Sequence, residues 1–117
     1  MMDKADRKVF NRKYKNTPRP AGIYRVRNSV TGKLLVGSAT DLRGMLNRQR
    51  FQLETGRHPD RELQSDWDEL GAEAFKFEIL DQLKPSDEPG YDSTEDLAAL
   101  KKMWIEELRR AGETLYK

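Results

Sequence analysis

Apolar positions change their period several times along the chain, and each change marks an element. Residues 21–28, Ala-Gly-Ile-Tyr-Arg-Val-Arg-Asn, and residues 34–38, Leu-Leu-Val-Gly-Ser, alternate in part and are rich in β-branched or aromatic side chains. Ser29-Val-Thr-Gly-Lys33 separates them, a Gly-containing spacer of hairpin length, so the two runs predict paired strands. Tyr24 then shares one face with Val26, while Ile23, Arg25 and Arg27 point to the other.

The period next lengthens to that of a helix. Leu42, Met45, Leu46, Gln49 and Leu53 form one stripe, with Thr40 expected as N-cap, Asp41 in the first turn and Gly56 just beyond the end. After His58-Pro59-Asp60 a second helix is expected from Arg61 to about Leu70, burying Leu63, Trp67 and Leu70 and stopped by Gly71. Phe75-Lys-Phe-Glu-Ile-Leu80 alternates at first and then turns apolar, as a third strand does. Residues 84–92, with two prolines and a glycine, form a loop. A last helix runs from Ser93 or Thr94 to about Arg110 with Leu97, Leu100, Trp104, Ile105 and Leu108 inward and Gly112 as its stop.

In front of the first strand, residues 3–16 are polar and basic, with Phe10 and Tyr14 four apart on one narrow stripe. Thr17-Pro-Arg-Pro20 ends any helix there, because a residue before proline is pushed out of the α region. The expectation is an α+β domain over residues 21–117, a three-stranded antiparallel sheet covered by helices, preceded by a basic, helical extension over residues 1–20.

Composition narrows the chemistry. In 117 residues there is no cysteine and one histidine, which excludes disulfides, thiolate zinc sites and a cysteine nucleophile. His58 reads as a solvated loop residue. No apolar run approaches the roughly 20 residues that span a bilayer, and the start lacks a secretory pattern, so a soluble, cytoplasmic protein with no membrane partner is expected. The net charge of +2 hides a split: residues 1–58 carry 14 Lys and Arg against 4 Asp and Glu, and the remainder carries 8 against 16. Either the basic half faces a polyanion or the halves attract one another.

Gly22-Ile23-Tyr24, followed after the hairpin by Leu35-Val-Gly-Ser-Ala-Thr-Asp-Leu42, resembles the paired motif that names the GIY-YIG nuclease superfamily. Leu63-Gln-Ser-Asp-Trp67, then Leu70-Gly-Ala-Glu-Ala-Phe75 and the strand after it, is similar to the helix-then-strand segment of small standalone members. Trp104-Ile105 and Leu115-Tyr116 resemble the final helix and extended tail. The resemblance implies metal-assisted phosphodiester cleavage, in which a hairpin tyrosine helps to activate water, an arginine stabilises phosphate charge and a last-helix glutamate holds magnesium.

Carried over position by position, that set is depleted here. Tyr24 is kept, but Leu35 stands for the second-motif tyrosine, Met45 for the arginine, Gln49 for a His or Tyr, and Lys101 for the metal-binding glutamate. An ammonium at that place repels magnesium. Arg48, three residues beyond Met45, faces nearly the same way and can serve as a substitute arginine, whereas Glu107 lies roughly 9 Å too far along the helix. The resemblance therefore implies a degenerate nuclease domain retained for binding nucleic acid, DNA before RNA, with no cofactor, and magnesium only if some activity survives. Its nucleic-acid contacts are expected from Arg25, Arg27, Lys33, Arg43, Arg50 and Arg57, unless Asp66, Asp68, Glu69 or Glu73 neutralise them. The rivals are an active endonuclease built on Tyr24, Arg48 and an unassigned carboxylate, and a protein-binding module that uses the basic half.

Overall fold

The structure, a computed structural model, describes residues 20–84, 90 and 92–116; the expected N-terminal helix lies outside the described residues. Three strands, β1 (Gly22–Asn28), β2 (Leu34–Ala39) and β3 (Phe75–Gln82), form one antiparallel sheet in the order β2-β1-β3. Helices α1 (Leu42–Glu54) and α2 (Arg61–Leu70) lie between β2 and β3 in the chain, and α3 (Thr94–Arg110) follows β3.

Pairing register divides the side chains of the sheet between its two faces. Tyr24 and Val26 stand opposite Gly37 and Leu35 on β2, Asn28 N bonds Lys33 O just before β2, and the three stand opposite Ile79, Phe77 and Phe75 on β3. Val26 and Phe75 are buried on that face with Leu53 of α1, Leu63 and Trp67 of α2, and Tyr116 of the tail. The Trp67 ring packs tilted on Phe75 at 5.3 Å and edge-on to Phe77 at 6.1 Å. A second cluster joins Tyr24 and Ala39 to Leu42, with Met45 and Leu46 packed against it. The other face carries the fully buried Ile23, and α3 packs against β1 and β2 with Leu97 buried. Trp104 of α3 donates its indole N–H to Asp81, the residue paired with Ile23, at 3.0 Å.

Between Ile23 and Tyr24 the β1–β3 register shifts by one residue, leaving Leu80 as the extra member of a bulge. A Cβ on Gly22 would run into the Asp81 carbonyl beside it, which accounts for the glycine that opens β1. At the opposite edge the tail closes one end of β2: Leu34 donates to Thr114 O at 3.0 Å and accepts from Tyr116 N at 2.7 Å. Covering an edge in this way removes a template for unwanted pairing.

Helix ends depart from expectation in small ways. Asp41, not Thr40, caps α1, its carboxylate accepting from Gly44 N at 3.1 Å. Asp60 does the same for α2 through Leu63 N at 3.0 Å. Ser93 is the N-cap of α3 without a side-chain cap bond, and it is Asp92 that accepts from Thr94 N at 2.9 Å. Leu70 is exposed rather than inward, because Leu63 and Trp67 already fill the seat against the sheet and Leu70 ends the helix beyond it. No helix among the described residues is long and apolar enough to cross a membrane.

Candidate functional site

Gly37 makes the site possible. It lies directly across from Tyr24, and with no side chain in the way the tyrosine ring crosses β2 toward its outer edge. A Cβ on Gly37 would collide with the Tyr24 hydroxyl and lie 2.5 Å from Cζ. The ring therefore enters a cleft of about 770 Å³ along β2, bordered by Leu35 and Ser38, by the α1–α2 loop, and by Lys101 of α3.

Tyr24 is held there by a chain of polar groups that the apolar pattern conceals. Gln49 of α1 donates through Nε2 to the Tyr24 hydroxyl at 3.2 Å, and its Oε1 lies 2.5 Å from Nε2 of His58. His58 Nδ1 accepts from Asp60 N at 3.0 Å, so the ring proton sits on Nε2 and is donated to Gln49. His58 is thus buried and fully bonded, against the expectation of a solvated loop residue, and Gln49 of the α1 stripe is the bridge of the site. Gln64, also buried, fastens the loop by accepting from His58 N and donating to Leu53 O, both at 3.0 Å.

This burial sets the protonation states. It pushes the Tyr24 phenol up, and the positive charge of exposed Arg48 offsets part of that rise. Tyr24 consequently enters the cleft as a neutral phenol, its oxygen accepting from Gln49 and its proton available to donate. Burial likewise pulls His58 below 6.5, opposed by the Asp60 carboxylate, and keeps the imidazole neutral.

The remaining site residues separate into groups. Leu35 and Lys101 border the same cleft as Tyr24. Met45 borders an adjoining cleft of about 780 Å³ that shares Ser38 and Lys101 with the first. Arg48 acts on Tyr24 through its charge. The basic set expected at the hairpin and first helix is largely spent elsewhere. Arg25 and Arg27 both donate to Glu78, at 2.7 and 3.3 Å, and Lys33 pairs with Glu62. Arg50 stacks on Phe77 with its guanidinium carbon 4.5 Å from the ring centroid. The ion-pairing acids are Glu78 and Glu62; of the acids expected to neutralise the patch, Asp66 acts on Lys33 through its charge. Arg43, Arg50 and Arg57 of that set are exposed with no ion pair among the described residues.

The two carboxylates that border the Tyr24 cleft, Asp60 and Glu62, are both engaged by protein groups. Among the described residues no group of three or more His, Cys, Asp or Glu side chains could hold a metal ion. Asp60 has one buried carboxylate oxygen without a hydrogen-bond partner, but its other oxygen caps α2 and both nitrogens of neighbouring His58 are engaged. Glu62, the other acid of the cleft, is paired with Lys33.

Comparison of the sequence with protein-family models and with curated proteins finds no match. Among solved structures, the catalytic domain of the homing endonuclease I-TevI matches with TM-score 0.65 and 27% identity, over 82% of this chain and 95% of that one. A Glu-to-Ala mutant of the catalytic domain of the intron endonuclease I-TevI matches with TM-score 0.66 and 28% identity, over 84% of this chain and 92% of that one. I-TevI is a GIY-YIG endonuclease, and the matched region includes most of the sheet-and-helix core described above. This chain therefore has a GIY-YIG-like fold, related to that of the I-TevI catalytic domain.

Proposed function

We propose that this chain is a nucleic-acid-binding module, acting on DNA before RNA, built on a nuclease fold that no longer cleaves. The observation that carries the reading is the composition of the Tyr24 cleft. Its acids are committed to a helix cap and an ion pair, its phenol is held protonated, and Lys101 stands on its α3 wall. A protonated phenol is a poor base, and carboxylates engaged in a helix cap and an ion pair are poorly placed to activate water beside a phosphate. The endonuclease activity named for the related I-TevI domain supports DNA as the polymer recognised. The test is incubation of labelled single- and double-stranded DNA and RNA with magnesium or manganese, with a chelator control and with Tyr24→Phe alongside. The expected result is binding that weakens steeply with salt and no cutting; metal-dependent cutting that disappears in Tyr24→Phe would overturn it.

The nearness of Arg48 to the Tyr24 hydroxyl favours a second reading, an active nuclease with Arg48 in the role of the absent arginine. Under that reading Arg48→Ala abolishes cutting while leaving the fold intact. Under the first it only weakens binding, and there is no cutting to lose.

A further inference from the structure

We propose that Lys101 is the phosphate-binding group of this cleft, and that a phosphodiester of the nucleic acid docks on its ammonium directly, without a divalent ion. The inference rests on the nucleic-acid reading above and adds the group that performs the recognition.

Four observations converge on Lys101. It is half-buried on the inward stripe of α3 and borders both adjoining clefts, so it stands where the two meet beside Ser38. It forms no hydrogen bond or ion pair among the described residues, unlike Arg25, Arg27 and Lys33. A cation left without a counter-charge in a concave site attracts an anion. Further cations continue the track: Arg61 borders the first cleft, and Lys102 and Arg109 border the second, where Glu106 is the one acid. Lys101 to Arg109 is eight residues of helix, about 12 Å at 1.5 Å per residue, a length that follows a few nucleotides of a backbone.

Hydrogen-bond donors complete the surroundings. Leu35, Gly37 and Ala39 pair inward with Val26, Tyr24 and Gly22, so Val36 and Ser38 turn their backbone N–H groups outward, as Leu34 does toward the tail. Val36 and Ser38 both border the first cleft, where the Tyr24 hydroxyl also has its proton to give. Ammonium, phenol and backbone N–H together suit a phosphate oxygen and oppose a metal cation.

The experiment is a titration of fluorescently labelled single-stranded and duplex DNA with the full chain at constant ionic strength, once in chelator and once with magnesium. Binding in chelator at least as tight as with magnesium is expected, since magnesium competes for the same phosphates. Lys101→Met should weaken binding roughly five- to tenfold and lower the slope of log affinity against log salt by about one phosphate contact, and Lys101→Arg should restore most of both. Circular dichroism of each variant separates misfolding from a lost contact. Binding that needs magnesium, or a Lys101→Met protein that binds like the parent, would overturn the role of Lys101 while leaving nucleic-acid recognition standing. A folded parent that binds neither DNA under either condition overturns the DNA reading itself, and the inference with it.

Discussion

Gln49 joins two residues that stand 34 positions apart, donating from Nε2 to the Tyr24 hydroxyl at 3.2 Å while its Oε1 accepts from His58 Nε2 at 2.5 Å. Both partners are buried, so neither can turn to water when the bridge is removed. Gln49→Leu keeps the bulk of the side chain but strands the His58 N–H and the Tyr24 lone pair. A loss of about 1–3 kcal/mol of stability is expected, the usual cost of leaving a buried polar group unsatisfied. Urea unfolding of the variant and parent measures it; an unchanged midpoint would mean the bridge contributes nothing.

His58 makes stability depend on mild acid. Its pKa in the folded chain lies below the ordinary 6.5, chiefly through burial. Above 6.5 the imidazole is neutral in both states and contributes no slope. As pH falls through 6.5 the unfolded chain takes up a proton that the folded chain refuses, so the native state loses stability until the folded pKa is passed. Protonation of the native ring would also break the Asp60 N–H bond to Nδ1. Unfolding midpoints should therefore decline on the acid side of 6.5, and His58→Asn, which has an oxygen to accept from Asp60 N, should decline less.

Those two residues show where reading the sequence reached its limit. Strands β1 and β2, the hairpin between them and the stops at Gly56, Gly71 and Gly112 follow from period and turn chemistry, which act locally. The resemblance carried by Gly22-Ile23-Tyr24 and Leu35 to Leu42 located the Tyr24 cleft and put Lys101 on its wall. The inward stripe placed Gln49, but its partners, and the burial of His58 and Gln64, were hidden because a polar residue predicts exposure unless its partner is known. The acidic partners of the basic patch were out of reach for the same reason. Arg25 stands opposite Glu78 only in the actual β1–β3 register, which includes a one-residue shift, and no local rule supplies that pairing. Asp41 and Thr40 are both competent caps, and one residue of difference in the helix start decides between them.

Gly37 is expected to tolerate no side chain as long as Tyr24 keeps its ring. Its backbone is not in the left-handed region, so alanine there is unwelcome for the contact alone. Gly37→Ala should cost about 1–3 kcal/mol, the range for forcing an extra carbon into a packed site. The same change in a Tyr24→Val background should cost much less, because the colliding ring is gone. A double-mutant cycle by urea unfolding measures this coupling, and simple additivity would place the strain elsewhere.

Tyr116 locks the tail onto the edge of the sheet. Its hydroxyl donates to Asp66 of α2 at 2.6 Å and accepts from Asn28 Nδ2 at 3.0 Å, while Asn28 Oδ1 caps the hairpin through Val30 N and Thr31 N. Burial, and then the Asp66 carboxylate, push the phenol up to about 12 from the ordinary 10. The linkage is of the raised kind: stability is intact below 10 and is lost as pH rises toward 12, because the unfolded phenol ionises first. Tyr116→Phe removes that contribution and two hydrogen bonds together. At neutral pH the variant should be about 1–3 kcal/mol less stable and should exchange the Leu34 amide faster, since that N–H is held by Thr114 O of the same tail. Between pH 10 and 12 its stability should fall less steeply than the parent's, with the slope that remains belonging in part to Tyr24, whose phenol is also raised. Parallel alkaline slopes would show that Tyr116 ionises alike in both states and that the tail is held by its backbone bonds and ring alone.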